Sequence, residues 1–192
     1  MSTRREFLQM SLAASTLPTL VTPSFSRDNH QQLRASCVVA EAASPLAASF
    51  CDEAARLGLR AHVINDDITD LWYREFSIRW REASAVVAGV TLSTSLFCLE
   101  TLARDHGMRV WFRAVHNALP DGQIEHVVFG PEPIVQLSAA FGVDWGVDFA
   151  RLAAGAPLIA ANKTENRIVR SAAIRPNEPG PIVSWIIVPR LA

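Results

Sequence analysis

Cysteine is scarce in this chain. There are three among 192 residues, too few for a disulfide framework and an odd number that cannot all pair. Charge is thin as well: 19% of residues are charged, and 18 basic against 19 acidic residues leave a formal net charge of −1. No strong field of either sign exists to steer nucleic acid or anionic lipid, so no nucleic-acid partner is expected. No apolar run reaches the roughly 18 residues that a membrane span needs, so no stable membrane anchor is expected either. Glycine-rich phosphate loops are missing, because Gly89 stands alone without G-x-G-x-x-G or G-x-x-x-x-G-K around it. H-E-x-x-H and G-x-S-x-G are absent, and no pair of histidines or cysteines has metal-ligand spacing. The sequence therefore names no metal and no cofactor. What it does have is apolar mass: 49% of its residues are hydrophobic, enough to fold a core. The length suits one domain, or one domain plus a tail.

The tail is the N-terminus, Met1-Ser2-Thr3-Arg4-Arg5-Glu6-Phe7-Leu8-Gln9. Arg4, Arg5, Phe7 and Leu8 stand as in a twin-arginine export signal, which this segment resembles, although Gln9 replaces the usual Lys. Residues 10–21 follow as a weakly apolar stretch broken by Ser11, Ser15, Thr16, Pro18 and Thr19. The resemblance implies a signal over residues 1–26, the Tat translocase as a partner, and a periplasmic or secreted destination. It also implies a passenger that crosses the membrane already folded, because it carries a cofactor, travels with a co-exported protein partner, or simply folds fast. Residues 27–192 then form a single α/β domain.

That domain reads as alternating strand and helix. Cys37-Val38-Val39-Ala40 is a short buried strand. Ser44-Pro45 supplies an N-cap and a first helical residue, Leu46, Phe50, Ala54 and Leu57 share a helical face, and Gly58 closes the helix. Residues 60–64 form the next strand. A second unit follows: a strand at 85–90, a helix through Leu96, Leu99, Ala103 and His106 closed by Gly107, and a strand at 109–112. Between the units, Leu71, Trp72, Phe76 and Trp80 make a helical stripe suited to core filling. The units resemble each other: residues 36–40 match 84–88, and Phe50-Cys51 matches Phe97-Cys98. Further on, Asp121-Gly122 marks a turn after a strand and before another at 123–129. A short helix starts at Pro131-Glu132-Pro133, Asp148 caps one over 149–154, and strands run over 167–174 and 182–188. The expectation is a Rossmann-like or flavodoxin-like, mostly parallel sheet with helices on both faces and antiparallel strands at the C-terminus.

In such a sheet ligands bind beyond the carboxyl ends of the strands. Four loops qualify there: Glu41 with Ser44; Asp66 with Asp67; Thr91, Ser93, Thr94 and Ser95; and His116 with Asn117. Ser93, Thr94 and Ser95 open a helix, where free N–H groups and hydroxyls either cradle an anion or cap the helix. Asp66 and Asp67 either hold a cation or sugar hydroxyl or serve as turn residues. His116 is a general base if Glu41 or Asp66 lies in reach, and a polar loop residue otherwise. Two functions stay open: a non-catalytic accessory subunit or small-ligand-binding protein, and a small enzyme acting on an anionic molecule with His116 as base.

Overall fold

The structure, a computed structural model, describes residues 32–157, 163–172 and 181–190. Arg4, Arg5, Phe7, Leu8 and the rest of the export signal lie outside the described residues.

The first βαβ unit forms where its local signals place it. Strand β1 is Gln32–Leu33, β2 is Cys37–Glu41, α1 is Pro45–Arg56 and β3 is Arg60–Ile64. The Ser44 hydroxyl accepts the Ala47 N–H at 3.0 Å, Pro45 occupies the first helical turn, and Gly58 takes φ +74°, which a residue with a Cβ resists. A helix over 69–82, here α2, is wound as Thr69–Leu71, a π-helical turn at Trp72–Phe76, and Ser77–Glu82. Then come β4 (Val87–Leu92), α3 (Ser93–Asp105), β5 (Met108–Ala118), β6 (Gln123–Pro131), α4 (Glu132–Ser138), α5 (Trp145–Gly155), β7 (Ala156–Pro157), β8 (Thr164–Ala172) and β9 (Ile182–Pro189).

The seven-stranded sheet has the order β3-β2-β4-β9-β5-β6-β8, while β1 and β7 pair separately. β2 runs parallel to β3 and to β4, and the remaining pairings, β4–β9, β9–β5, β5–β6 and β6–β8, are antiparallel. The expected mostly parallel, Rossmann-like sheet is therefore wrong. The reason is β9. Its residues Ile182 to Val188 are all buried, so it must be covered on both faces, and it takes the slot between β4 and β5 from the opposite direction. β5 still points the same way as β2, β3 and β4, because β9 opposes both of its neighbours, but it no longer adjoins them.

Helices flank both faces. On the first, α1, α4 and α5 enclose a core built around stacked Phe50, Phe149 and Phe112, with ring centroids 5.2 and 5.6 Å apart. Gly146 lets α5 approach α1, since a Cβ there would run into Ser49, Leu46 and Phe50. On the second face, α2 and α3 bury Trp72, Phe76, Trp80, Leu96 and Leu99 against Trp185 and Ile187 of β9. The aromatic stripe of α2 is thus core, with Phe76 stacked on Trp80 at 5.3 Å. Gly89 owes its identity to Trp185 rather than to a ligand: a Cβ would lie 2.7 Å from the indole Cε2 and 2.9 Å from the Val39 carbonyl.

Several sequence readings change in detail. β5 runs six residues beyond 112, because a bulge at Trp111 lets Val110 pair with Ile187 and Phe112 with Ile186, which breaks the alternation that would reveal one long strand. Asp144, rather than Asp148, receives the Val147 N–H at the start of α5. The likeness of the two βαβ units does not extend to packing: Phe50 is fully buried and Phe97 is 70% exposed, and α1 and α3 lie on opposite faces of the sheet.

Candidate functional site

The carboxyl ends of β2, β3 and β4 meet where the parallel block ends, and α2 and α3 diverge there to leave a cleft of about 450 Å³ on the second face. Asp66, Asp67, Thr94 and Ser95 line it with Trp72 and Tyr73. Asp66, the only non-glycine residue with positive φ among those described (57°), turns the chain out of β3. Its N–H donates to Glu41 Oε1 at 3.0 Å, and its carboxylate lies 3.4 Å from the Thr94 hydroxyl, so the three strand ends are tied together. Asp67 accepts the Thr69 N–H at 2.7 Å, and bonds from Thr69 hold its carboxyl below the usual range. Two buried oxygens here are without a hydrogen-bond partner: Ser95 Oγ and Glu41 Oε2. Ser95 is 5% exposed, in the first turn of α3, and lines the cleft.

Other predicted residues are structural in position. Ser44 is the buried cap of α1. Thr91 is buried and accepts the Trp185 indole N–H at 3.0 Å. Ser93 donates its backbone N–H to Pro181 O at 3.1 Å, and α3 starts after Leu92 without any side-chain cap, so neither Ser93 nor Thr94 caps it. Asn117 is exposed on β5, opposite Glu125.

His116 stands apart from all of these. It lies inside β5, pointing into the first-face core, and is brought neither to Glu41 nor to Asp66. Its partner is His126, directly opposite on β6, with Nδ1 to Nδ1 at 2.7 Å. One of the two nitrogens must carry the proton and the other accept it. His116 Nε2 meets Ser184 Oγ at 2.7 Å, His126 Nε2 meets Ser171 Oγ at 2.8 Å, and the Trp145 indole donates to Ser184 at 3.2 Å. Trp145 also stacks on His126 with centroids 4.1 Å apart. Burial holds His116 well below the ordinary histidine pKa, with His126 adding to the effect, and burial lowers His126 to about 4. Both rings are neutral, and every ring nitrogen is occupied. A general base needs a substrate within reach; this pair has hydroxyls and an indole instead.

His126 carries no motif, but one signal could have found it. A hairpin folded about Asp121-Gly122 sets residue 116 opposite residue 126. A third group also escaped sequence reasoning. Cys37, His62 and Glu75, from β2, β3 and α2, present ligand atoms within 4.8 Å of one another. No family model, curated protein or solved structure matches the chain. Among the described residues, no helix is long and apolar enough to cross a membrane.

Proposed function

We propose that the protein is a non-catalytic, exported small-ligand-binding protein whose ligand occupies the cleft between α2 and α3. The observation that carries the binding role is Ser95: a buried hydroxyl, facing a cleft, with nothing to bond. Leaving such a group unpaired costs roughly 1–3 kcal/mol, and a ligand polar atom in the cleft recovers it. The lining of the cleft favours one ligand chemistry. Asp66 and Asp67 are the charged groups that line it, and Glu41 stands behind them. An anion is disfavoured there in spite of the helix N-terminus. A small ammonium compound with an apolar body fits better: carboxylates for the charge, Ser95 for a hydrogen bond, and Trp72, Tyr73 and Phe97 for the body. Export rests on Arg4-Arg5 and the weakly apolar stretch after them.

The binding reading is tested by thermal unfolding and calorimetric titration with a panel of small primary amines and matched carboxylic acids. Amines should raise the melting temperature and bind one per chain, and Asp66→Asn should weaken them about tenfold or more. Stabilisation by the acids alone, or by neither series, would sink it. Export is tested separately by converting Arg4-Arg5 to Lys-Lys, which should leave the protein inside the cell.

A further inference from the structure

We propose that Cys37, His62 and Glu75 form a binding site for a thiophilic divalent cation, zinc above all, on the second face at the β3 edge of the sheet. The parallel register sets Cys37 beside Arg60 and Val39 beside His62, so the thiol and the imidazole are diagonal neighbours on adjacent strands facing α2. Helix α2 brings Glu75 over them from the π-helical turn at Trp72–Phe76. Such turns concentrate at functional sites. Sulfur, nitrogen and carboxylate oxygen from three elements are the donors that zinc takes; magnesium and calcium take oxygen alone.

The decisive detail is the unfinished bonding of His62. Its Nε2 is buried and lies 3.0 Å from Glu75 Oε2, yet it has no hydrogen-bond partner. The contact with Glu75 is close but poorly aligned for a full hydrogen bond, and the nitrogen, the carboxylate oxygen and the Cys37 sulfur converge as ligands around a common point do. Supporting groups are also present. Arg79 holds Glu75 Oε1 at 2.7 Å and fixes the carboxylate plane. The Ser36 hydroxyl, which donates to the Val86 carbonyl at 2.9 Å, lies 3.9 Å from Cys37 Sγ and would have to turn to donate to a thiolate. Arg60 reaches Glu75 Oε2 at 3.2 Å, but its side chain is 63% exposed and can swing out into water when a cation takes that oxygen.

An ordinary cysteine is a thiol at neutral pH and binds a metal as the thiolate. Binding then follows the balance Cys–SH + M²⁺ → Cys–S–M⁺ + H⁺, with one proton passing to solvent for each ion bound. Three protein ligands leave a fourth position for water. This site lies on the sheet side of α2, and the inference does not depend on the amine-binding cleft.

The test uses the full chain stripped with a chelator and titrated with Co²⁺ and then Zn²⁺ in weak buffer with a pH indicator. Expected are one ion per chain, a sulfur-to-cobalt charge-transfer absorption, displacement of cobalt by zinc, and one proton released. Cys37→Ser should abolish the charge-transfer absorption, while Cys51→Ser and Cys98→Ser should keep it. Arg79→Gln should weaken zinc about 10–100-fold. Arg60→Ala, a surface change that leaves the core alone, should tighten zinc several-fold by removing the competitor for Oε2. The proposal is overturned by the absence of stoichiometric binding, by a charge-transfer band that survives Cys37→Ser, or by an Arg60→Ala variant that binds zinc no better.

Discussion

The cleft beside α2 and α3 and the histidine pair of β5 and β6 treat their buried polar groups differently. In the parallel half, β3-β2-β4 with α2 and α3, Ser95 Oγ, Glu41 Oε2 and His62 Nε2 are buried without hydrogen-bond partners. In the antiparallel half, Arg113 Nε and Glu165 Oε2 also have no hydrogen-bond partner, but in the core the chain Trp145–Ser184–His116–His126–Ser171 is continuous, and both histidines use both ring nitrogens. A complete network rigidifies a core; an incomplete one is kept only where something else completes it. The contrast is why the cleft, rather than the more conspicuous histidine pair, is proposed as the binding site.

The two halves meet at β9, so the largest effect should come from breaking that seam. Trp185→Ala should cost about 3–5 kcal/mol in urea unfolding, since the indole is 1% exposed and holds Thr91. Gly89→Ala should cost about 1–3 kcal/mol through collision with the same ring. Combining the two should cost less than their sum, because the collision with the ring has gone and only the contact with the Val39 carbonyl remains. Additive effects would refute the packing given for Gly89.

Acid should separate the halves next. Burial depresses the folded-state pKa of His116 and His126, so the unfolded chain takes up protons first as pH falls. Their contribution is complete above pH 6.5, the ordinary value, and is lost as pH drops towards 4, the folded value of His126, by about 1.4 kcal/mol per pH unit per histidine. His62, also depressed by burial, adds in the same direction. Urea midpoints across this range should fall, and His126→Gln should flatten the slope. A midpoint independent of pH between 6.5 and 4 would mean that these rings are not buried neutral.

The sharpest comparison sets two serines side by side. Ser184→Ala removes the hydroxyl shared by His116 and Trp145 and should destabilise by about 1–3 kcal/mol. Ser95→Ala removes a hydroxyl that bonds nothing and should shift stability by less than about 0.5 kcal/mol, in either direction, while weakening cleft binding. Equal losses at the two positions would erase the distinction between the halves.

What was legible in the residues was local. Ser44, Pro45 and Gly58 punctuate α1, and Gly107 at φ +68° closes α3. Four of the rim residues, Asp66, Asp67, Thr94 and Ser95, do converge on one cleft. What failed was non-local. No property of residues 182–188 says that they lie between β4 and β5, because an apolar run suits any fully covered slot. The bulge at Trp111 concealed the length of β5, which turned a core histidine, His116, into an apparent loop residue. Cys37, His62 and Glu75 are far apart in sequence, and only the strand register and the placement of α2 unite them. The mostly parallel sheet was a reasonable extension of two βαβ patterns, but it lacked the strand that the chain inserts later.

That late insertion bears on how the molecule is made. β9 is the last of the described strands to emerge from the ribosome, yet it fills the middle of the sheet. Until it arrives, β4 and β5 offer open hydrogen-bonding edges to any passing chain, and the two halves share no sheet ladder. The sheet is therefore completed only once residues 182–189 are available, and a nascent chain stalled before residue 182 should be a ready substrate for chaperones.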